Sequence, residues 1–450
     1  MSEEMKNYLK ELVHIQSVSS DPSKKSESLK TANFVVSKLE ELGAETKIVP
    51  NAIEGKNPLL FAKLGSDPSK KTILFYSHYD VQPALKEDGW DTEPFTVAEK
   101  DGYMYGRGVS DDKGPIVVIY QAIKELQASG SLPVNIRWLY EGEEESGSGG
   151  FEETVIKEFK YFEKIDGLMI MDTAWFGDKV PSMDYGFRGL CYVFIEIQGP
   201  KKDQHSGQFG GSFREPMLDL VQILSNLVTL EGKILVEGVY DSVKPLTDDE
   251  KKLYDNIEFD VEEFKNSIGY TTKWENEDSK QILMNLWRNP SLSIHGIEGA
   301  FYGPGAKTVI PAKVLGKVSI RLVPDQKPSE IADLFEKYVQ KEFAKLHSPN
   351  KLVFHKHASG DWWYGDLNNF LFKANTKAIK EYWKKDPIYA RSGGSIPIIP
   401  FMEKTFNAPA IGMTTGQSSD GAHSQNERLR IENFVGSKEV VKLMLQEIGK

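Results

Sequence analysis

Three apolar runs, each ending in residues of the kind that bind metals, constrain this chain more than any other feature. The first is Leu74-Phe75-Tyr76-Ser77-His78-Tyr79-Asp80. The second, Val134 to Tyr140, runs into Glu141-Gly142-Glu143-Glu144-Glu145-Ser146-Gly147. The third is Gly167-Leu168-Met169-Ile170-Met171-Asp172. Short apolar runs of this kind read as buried strands, and a strand delivers its last residues to the rim of its sheet. Residues two apart in extended chain point to one side, so His78 and Asp80 can act together. The imidazole would bind a metal while the carboxylate holds its other ring nitrogen.

Between the first two runs lies Gly106-Arg107-Gly108-Val109-Ser110-Asp111-Asp112-Lys113-Gly114. Its glycines permit unusual backbone torsions just before two acids. An imidazole and several carboxylates gathered at one rim suit zinc, manganese or a related divalent ion.

A chain of 450 residues is too long for one compact core, so two domains are expected. The net charge of −11 argues against a nucleic-acid partner, which calls for a basic footprint. Cys191 is the one cysteine, which rules out an internal disulfide and is compatible with a reducing compartment. Met1-Ser2-Glu3-Glu4-Met5-Lys6 runs into an amphipathic helix pattern rather than the apolar centre of a signal peptide. No apolar run approaches the roughly 20 residues that span a bilayer. A soluble, cytoplasmic protein without a membrane partner is expected.

The periodicities predict an α/β beginning. Helices are expected over 1–20 and Leu29 to Leu42, and strands over Thr46 to Val49, Leu59 to Leu64 and Thr72 to Ser77. A helix over 115–128, the strand 134–140 and a helix near 151–159 follow. Past Tyr185-Gly186 the character changes. A strand at Leu190 to Ile197 precedes the glycine-rich His205-Ser206-Gly207-Gln208-Phe209-Gly210-Gly211 and a helix over 215–230. Residues 240–290 are polar, acidic and helical in pattern. Lys313 to Val323 and Lys351 to His357 read as strands flanking a helix at 328–346. Near Asp361 to Gly365 the chain returns to the first domain, with a helix at 367–383, the Ser-Gly-Gly-Ser loop at 392–395, a strand at 409–413 and a terminal helix from Glu432. There is no internal repeat.

Taken singly, each candidate has a plainer reading. Asp111-Asp112 resembles turn chemistry or a helix cap, and a glutamate run is usually a solvated face. Asp172 is a strand-end acid, and His423, in Asp420-Gly421-Ala422-His423-Ser424-Gln425, sits in a turn. Taken together, their order and spacing carry a resemblance. His78-x-Asp80, the Gly-Arg-Gly-x-x-Asp-Asp-Lys-Gly run and Glu-Glu-Ser-Gly look like the M20 family of di-metal peptidases and aminoacylases. Within it they are most similar to the carnosinase-like cytosolic nonspecific dipeptidases. The motifs match across nearly the full length, with little contribution from 240–290.

The resemblance implies a catalytic α/β domain, residues 1–187 and 365–450, with a central mixed sheet flanked by helices. An inserted α+β two-layer lid, residues 188–364, would interrupt it and carry a homodimer contact. Two divalent ions per subunit are implied, zinc foremost, with manganese or cobalt as alternatives. Asp111 matches the carboxylate bridging both, His78 and Asp172 complete one shell, and Glu145 and His423 complete the other. Asp80 matches the acid behind His78. Glu144 matches the general base, because the family's acid pair directly precedes Ser146-Gly147; Glu141 and Glu143 are then bystanders. The resemblance also implies a cis peptide between Asp111 and Asp112.

His205 matches a lid histidine supplied to the neighbouring subunit's site. Arg321, Thr308 and Ser395 match substrate contacts, Arg321 as a fork for a carboxylate. His14, His295, His347, His355 and His357 have no match and are expected to be structural. One position departs from the pattern: Ser392 stands where those dipeptidases carry a Glu that can pair with a free amine. The expected activity is metal-dependent hydrolysis of dipeptides or other short peptides with a free carboxylate. Ser392 keeps a deacylase of N-acyl amino acids, of the desuccinylase or aminoacylase type, in view. A non-catalytic metal- or peptide-binding protein is a third reading, weakened because the base and all five ligand positions are filled. A serine hydrolase would need a Gly-x-Ser-x-Gly elbow, and a zincin needs His-Glu-x-x-His; the sequence has neither.

Overall fold

Four of the apolar runs become strands buried along most of their length, because they lie inside a sheet covered on both faces. The computed structural model describes residues 1–130, 132–274 and 277–450. It separates into two compact units, one of Met1–Tyr185, Gly365–Ala390 and Phe401–Lys450, the other of Gly186–Tyr364 and Arg391–Pro400.

In the first unit the strands lie in the spatial order Glu45–Val49, Leu59–Leu64, Asn135–Glu141, Thr72–His78, Gly167–Trp175, Ala410–Gln417 and the first residues of Ser182–Phe187. Thr72–His78 runs parallel to both neighbours, and Gly167–Trp175 runs parallel to Ala410–Gln417. The first two pairings of the order are antiparallel, which makes the sheet mixed. His78 lies level with Glu141, and Tyr76 with Ile170, two residues before Asp172. The parallel core therefore carries its metal-binding residue types to one edge, the carboxyl end of the strands, where open α/β sheets hold ligands.

The helices obey their local chemistry. Phe370–Trp383 starts where the Asn369 side chain accepts from the N–H groups of Leu371 and Phe372. Lys113–Ala128 is buried nearly all round, as a helix between sheet and further helices must be. The first helix is shorter than its pattern predicts. It ends at His14, because Ser17 and Val18 are drawn into pairing with the stretch after His78: the Val81 N–H donates to the Ser17 carbonyl, and Ser17 Oγ donates to the Tyr79 carbonyl.

The second unit holds a four-stranded antiparallel sheet, ordered Ser291–Glu298, Lys313–Leu322, Gly189–Gln198 and Lys351–Gly360. Gly189–Gln198 alternates buried and half-buried residues. Its buried set, Cys191, Val193, Ile195 and Ile197, packs with Leu220, Ile223 and Leu224 of helix Pro216–Ser225 and with Phe335 and Val339 of helix Pro328–Lys345. The helix expected over 215–230 stops at Ser225, since Tyr338 Oη donates to the Asn226 carbonyl and Val228 pairs with Ile234. Residues 240–290 supply the helices Asp248–Asp255, Val261–Ser267 and Ser279–Trp287.

The segment Arg391–Pro400 groups with this unit, although its neighbours on both sides belong to the first. Arg391 pairs with Glu250 at 3.0 Å, Arg188 Nε donates to the Gly393 carbonyl at 3.0 Å, and Arg321 donates to Ser395 Oγ at 2.7 Å.

Candidate metal centre

His78 ends its strand fully buried. Asp111 follows the glycine turn, Glu145 sits in a short 3-10 helix after Glu141, and Asp172 lies within Gly167–Trp175. His423 follows the left-handed Gly421 in the turn after Ala410–Gln417. Folding brings all five together in two overlapping groups. The ligand atoms of His78, Asp111 and Asp172 lie within 4.8 Å of one another, and so do those of Asp111, Glu145 and His423. His78 Nε2 stands 2.9 Å from one Asp111 oxygen, and His423 Nε2 stands 3.0 Å from the other and 2.8 Å from Glu145.

This donor set fits two divalent cations. Donors at about 2.0–2.1 Å around a tetrahedral ion stand about 3.3 Å apart, close to the spacings seen here. The electrostatics agree. Burial pushes Asp172 well above the carboxylate range and Glu144 up to about 7, with the Asp111 charge adding to both. Burial also acts to raise Asp111, but hydrogen bonds from His423 and His78 hold it well below its ordinary value. The His423 imidazole is raised to about 10 by its contacts to Asp111 and Glu145. The crowded carboxylates of both clusters are groups that bound cations would neutralise.

The surrounding groups aim the ligands. His78 Nδ1 is 3.1 Å from the Asp80 main-chain carbonyl and 3.4 Å from its carboxylate, so the main chain is the nearer partner. The Asp80 carboxylate accepts from the Glu145 N–H at 3.1 Å, tying the His78 turn to the glutamate run. Asp112, across a cis peptide from Asp111, accepts from Ser77 Oγ and the His78 N–H. Glu141 and Glu143 have partners of their own. Glu141 accepts from Tyr76 and Ser148, and Glu143 from Lys56, the Asn57 N–H and Ser146. Glu144 is within electrostatic reach of His78, Asp111, Glu145 and Asp80. Gln82 was not among the sequence candidates. Its main-chain N–H and side-chain amide hold the two Glu145 oxygens at 3.1 and 2.9 Å, a role visible only once the loops meet.

In the second unit, His205 lies exposed in a two-residue pairing with Val309–Ile310. Its Nδ1 accepts from the Gly207 N–H at 3.0 Å, and its Nε2 is 3.3 Å from Thr308 Oγ1. Arg321 holds Ser395, as above, and no carboxylate among the described residues pairs with it. Ser392 Oγ accepts from the Gly394 N–H at 3.2 Å.

A parallel α/β core with paired carboxylate and imidazole clusters at its carboxyl edge defines a metallohydrolase. The comparisons make this particular. The description "Peptidase family M20/M25/M40" matches residues 74–447. The Cys-Gly metallodipeptidase DUG1 of Candida albicans is 46% identical, over 98% of this chain and 94% of its own. The human Beta-Ala-His dipeptidase is 40% identical over 95% and 86%. The solved structure of the dipeptidase Dug1p from Saccharomyces cerevisiae superposes with a TM-score of 0.87 at 43% identity, covering 99% of this chain and 96% of that one. The chain belongs to peptidase family M20 and is a metallopeptidase. No helix among the described residues is long and apolar enough to cross a membrane.

Proposed function

We propose that this enzyme hydrolyses the amide bond of dipeptides with a free carboxylate, at a centre where His78, Asp111 and Asp172 hold one divalent ion and Asp111, Glu145 and His423 hold a second. The observation that carries the reading is the shared Asp111, whose two oxygens face the two histidines. The curated relatives at 40–46% identity are named dipeptidases, which disfavours the deacylase reading that Ser392 keeps in view. Zinc is the proposed ion; manganese and cobalt suit the same donors.

Bound in these clusters, divalent cations polarise a carbonyl and make a water molecule more acidic. Glu144 accepts the proton of the attacking water and passes it to the leaving amine. Asp80 keeps the His78 ring oriented. Arg321, a half-buried guanidinium with a hydroxyl but, among the described residues, no acid paired with it, takes the substrate carboxylate together with Ser395, and Thr308 adds a hydroxyl. His205 serves the site of the neighbouring subunit in a homodimer formed through the second unit, and donates to the developing oxyanion. The single, buried Cys191 is in keeping with a reducing, cytoplasmic setting.

A panel of free dipeptides set against N-succinyl and N-acetyl amino acids tests the reading. Free dipeptides are expected to turn over faster; faster turnover of the blocked panel would overturn it. A second expectation concerns the shared site. Inactive His205→Ala and Glu144→Gln chains, mixed and allowed to exchange subunits, should regain activity. Confirmed heterodimers that stay inactive count against the role of His205.

A further inference from the structure

Glu427 is a fully buried carboxylate outside both ligand clusters, four residues beyond His423. Among the described residues, the hydrogen-bond donors to its side chain all lie on the Asp111 turn. One oxygen accepts from the main-chain N–H groups of Ser110 at 3.0 Å and Asp111 at 3.1 Å. The other accepts from the Gly108 N–H at 3.0 Å and from Arg107 Nη1 at 2.7 Å. Gly108 has φ of +91°, and a Cβ there would come within 2.8 Å of Val81. Glycine is needed for the chain to take this turn and present successive N–H groups to one carboxylate. The main-chain carbonyl of Glu427 adds a bond from the Gly106 N–H at 3.0 Å.

Arg107 completes the link in the other direction. It is buried, its guanidinium lies over the Trp90 ring, and Nη2 donates to the carbonyl of Ser424 at 3.1 Å. Ser424 directly follows His423. The turn that presents Asp111 and the turn that presents His423 are therefore joined by one buried ion pair, across 316 residues of sequence between Asp111 and Glu427.

We infer that Glu427 and Arg107 are positioning residues, which hold the carboxylate common to both metal clusters in register with His423. With its N–H clamped, Asp111 has its main chain set, and its two oxygens face His78 and His423 without further adjustment. The inference rests on the ligand assignment made above. A gap in that register would loosen both cations, since Asp111 serves both. Groups that orient metal ligands typically contribute 10–100-fold to metal affinity.

Glu427→Gln is the sharpest probe, because an amide must turn its NH2 toward donors on one side or the other. Arg107→Lys keeps the charge but cannot reach Glu427 and the Ser424 carbonyl as a fork does. Asp219→Asn serves as control: Asp219 is a fully buried carboxylate bonded to Arg214, Ser348 and Asn350 in the second unit. The full-length cobalt-loaded enzymes are exposed to graded chelator, and retained metal and the visible cobalt spectrum are measured beside thermal melting. Glu427→Gln and Arg107→Lys are expected to lose cobalt at chelator concentrations about 10–100-fold lower than wild type, with an altered spectrum. Asp219→Asn is expected to melt earlier yet retain cobalt to within about twofold of wild type, well short of that loss.

Retention by Glu427→Gln equal to wild type, while His423→Ala loses metal, would overturn the inference and leave the ligand assignment standing. Retention by His423→Ala as well would overturn the assignment itself. An equal loss from Asp219→Asn would make the effect general destabilisation and also overturn it. Should Glu427→Gln fail to melt cooperatively, Arg107→Lys decides by the same readings.

Discussion

Glu144→Gln is expected to lower kcat by at least about 100-fold, and up to about 10^4-fold, while the metal content of the protein stays at its wild-type value. The substitution keeps the side chain's shape and removes its ability to take a proton. Its neighbours give the test its force. Glu141 and Glu143 are engaged by Tyr76, Ser148, Lys56, Asn57 and Ser146, and Glu145 faces His423 and Gln82. Of the four glutamates in the run, Glu144 is the one without a hydrogen bond named above, which is what the proposed base requires. The measurement is kcat at saturating dipeptide, with metal quantified on the same sample. A near-normal rate would mean that the run has been read in the wrong register and that another carboxylate is the base.

Asp111→Ala is expected to remove both cations and all turnover. Each histidine faces a different oxygen of this one carboxylate, at 2.9 and 3.0 Å, so its loss takes a donor from both clusters at once. Glu145→Ala takes a donor from one cluster only. Metal content after dialysis should therefore fall further in Asp111→Ala than in Glu145→Ala. Equal losses in the two variants would argue that the clusters do not share Asp111. Asp111 is half-buried, and its negative charge acts against the neighbouring acids Asp172 and Glu144, a repulsion that the substitution relieves. Unfolding of the metal-free form is thus expected to be affected less than metal retention is.

The candidate ligands were legible because the chemistry is written locally. His78, the Glu144-Glu145 pair and Asp172 each lie at or just past the end of an apolar run, and Asp111 follows paired glycines. The role of each within its run came from the resemblance. Composition could not separate Glu144 from Glu141 or Glu143, which differ in what the folded chain brings against them. Strand boundaries such as Thr72–His78 and helix starts such as Phe370 were close to their patterns. Ser182–Phe187 and Ile398–Phe406 escaped the reading. The first, Ser-Met-Asp-Tyr-Gly-Phe, has little strand propensity of its own and is held by its place at the sheet.

Apolar period, turn residues and strand-end acids belong to neighbouring residues, so the chain's order alone was enough to announce an α/β core with a carboxylate- and imidazole-lined rim. Gln82 on Glu145, Arg107 and Glu427 between the Asp111 and His423 turns, and the grouping of Arg391–Pro400 with the second unit were decided by tertiary structure. Each depends on a polar side chain finding its partner tens to hundreds of residues away. Such a pairing leaves no periodic trace in sequence, because burial far from the chain neighbours is what makes an unpaired charge or N–H too costly to leave alone.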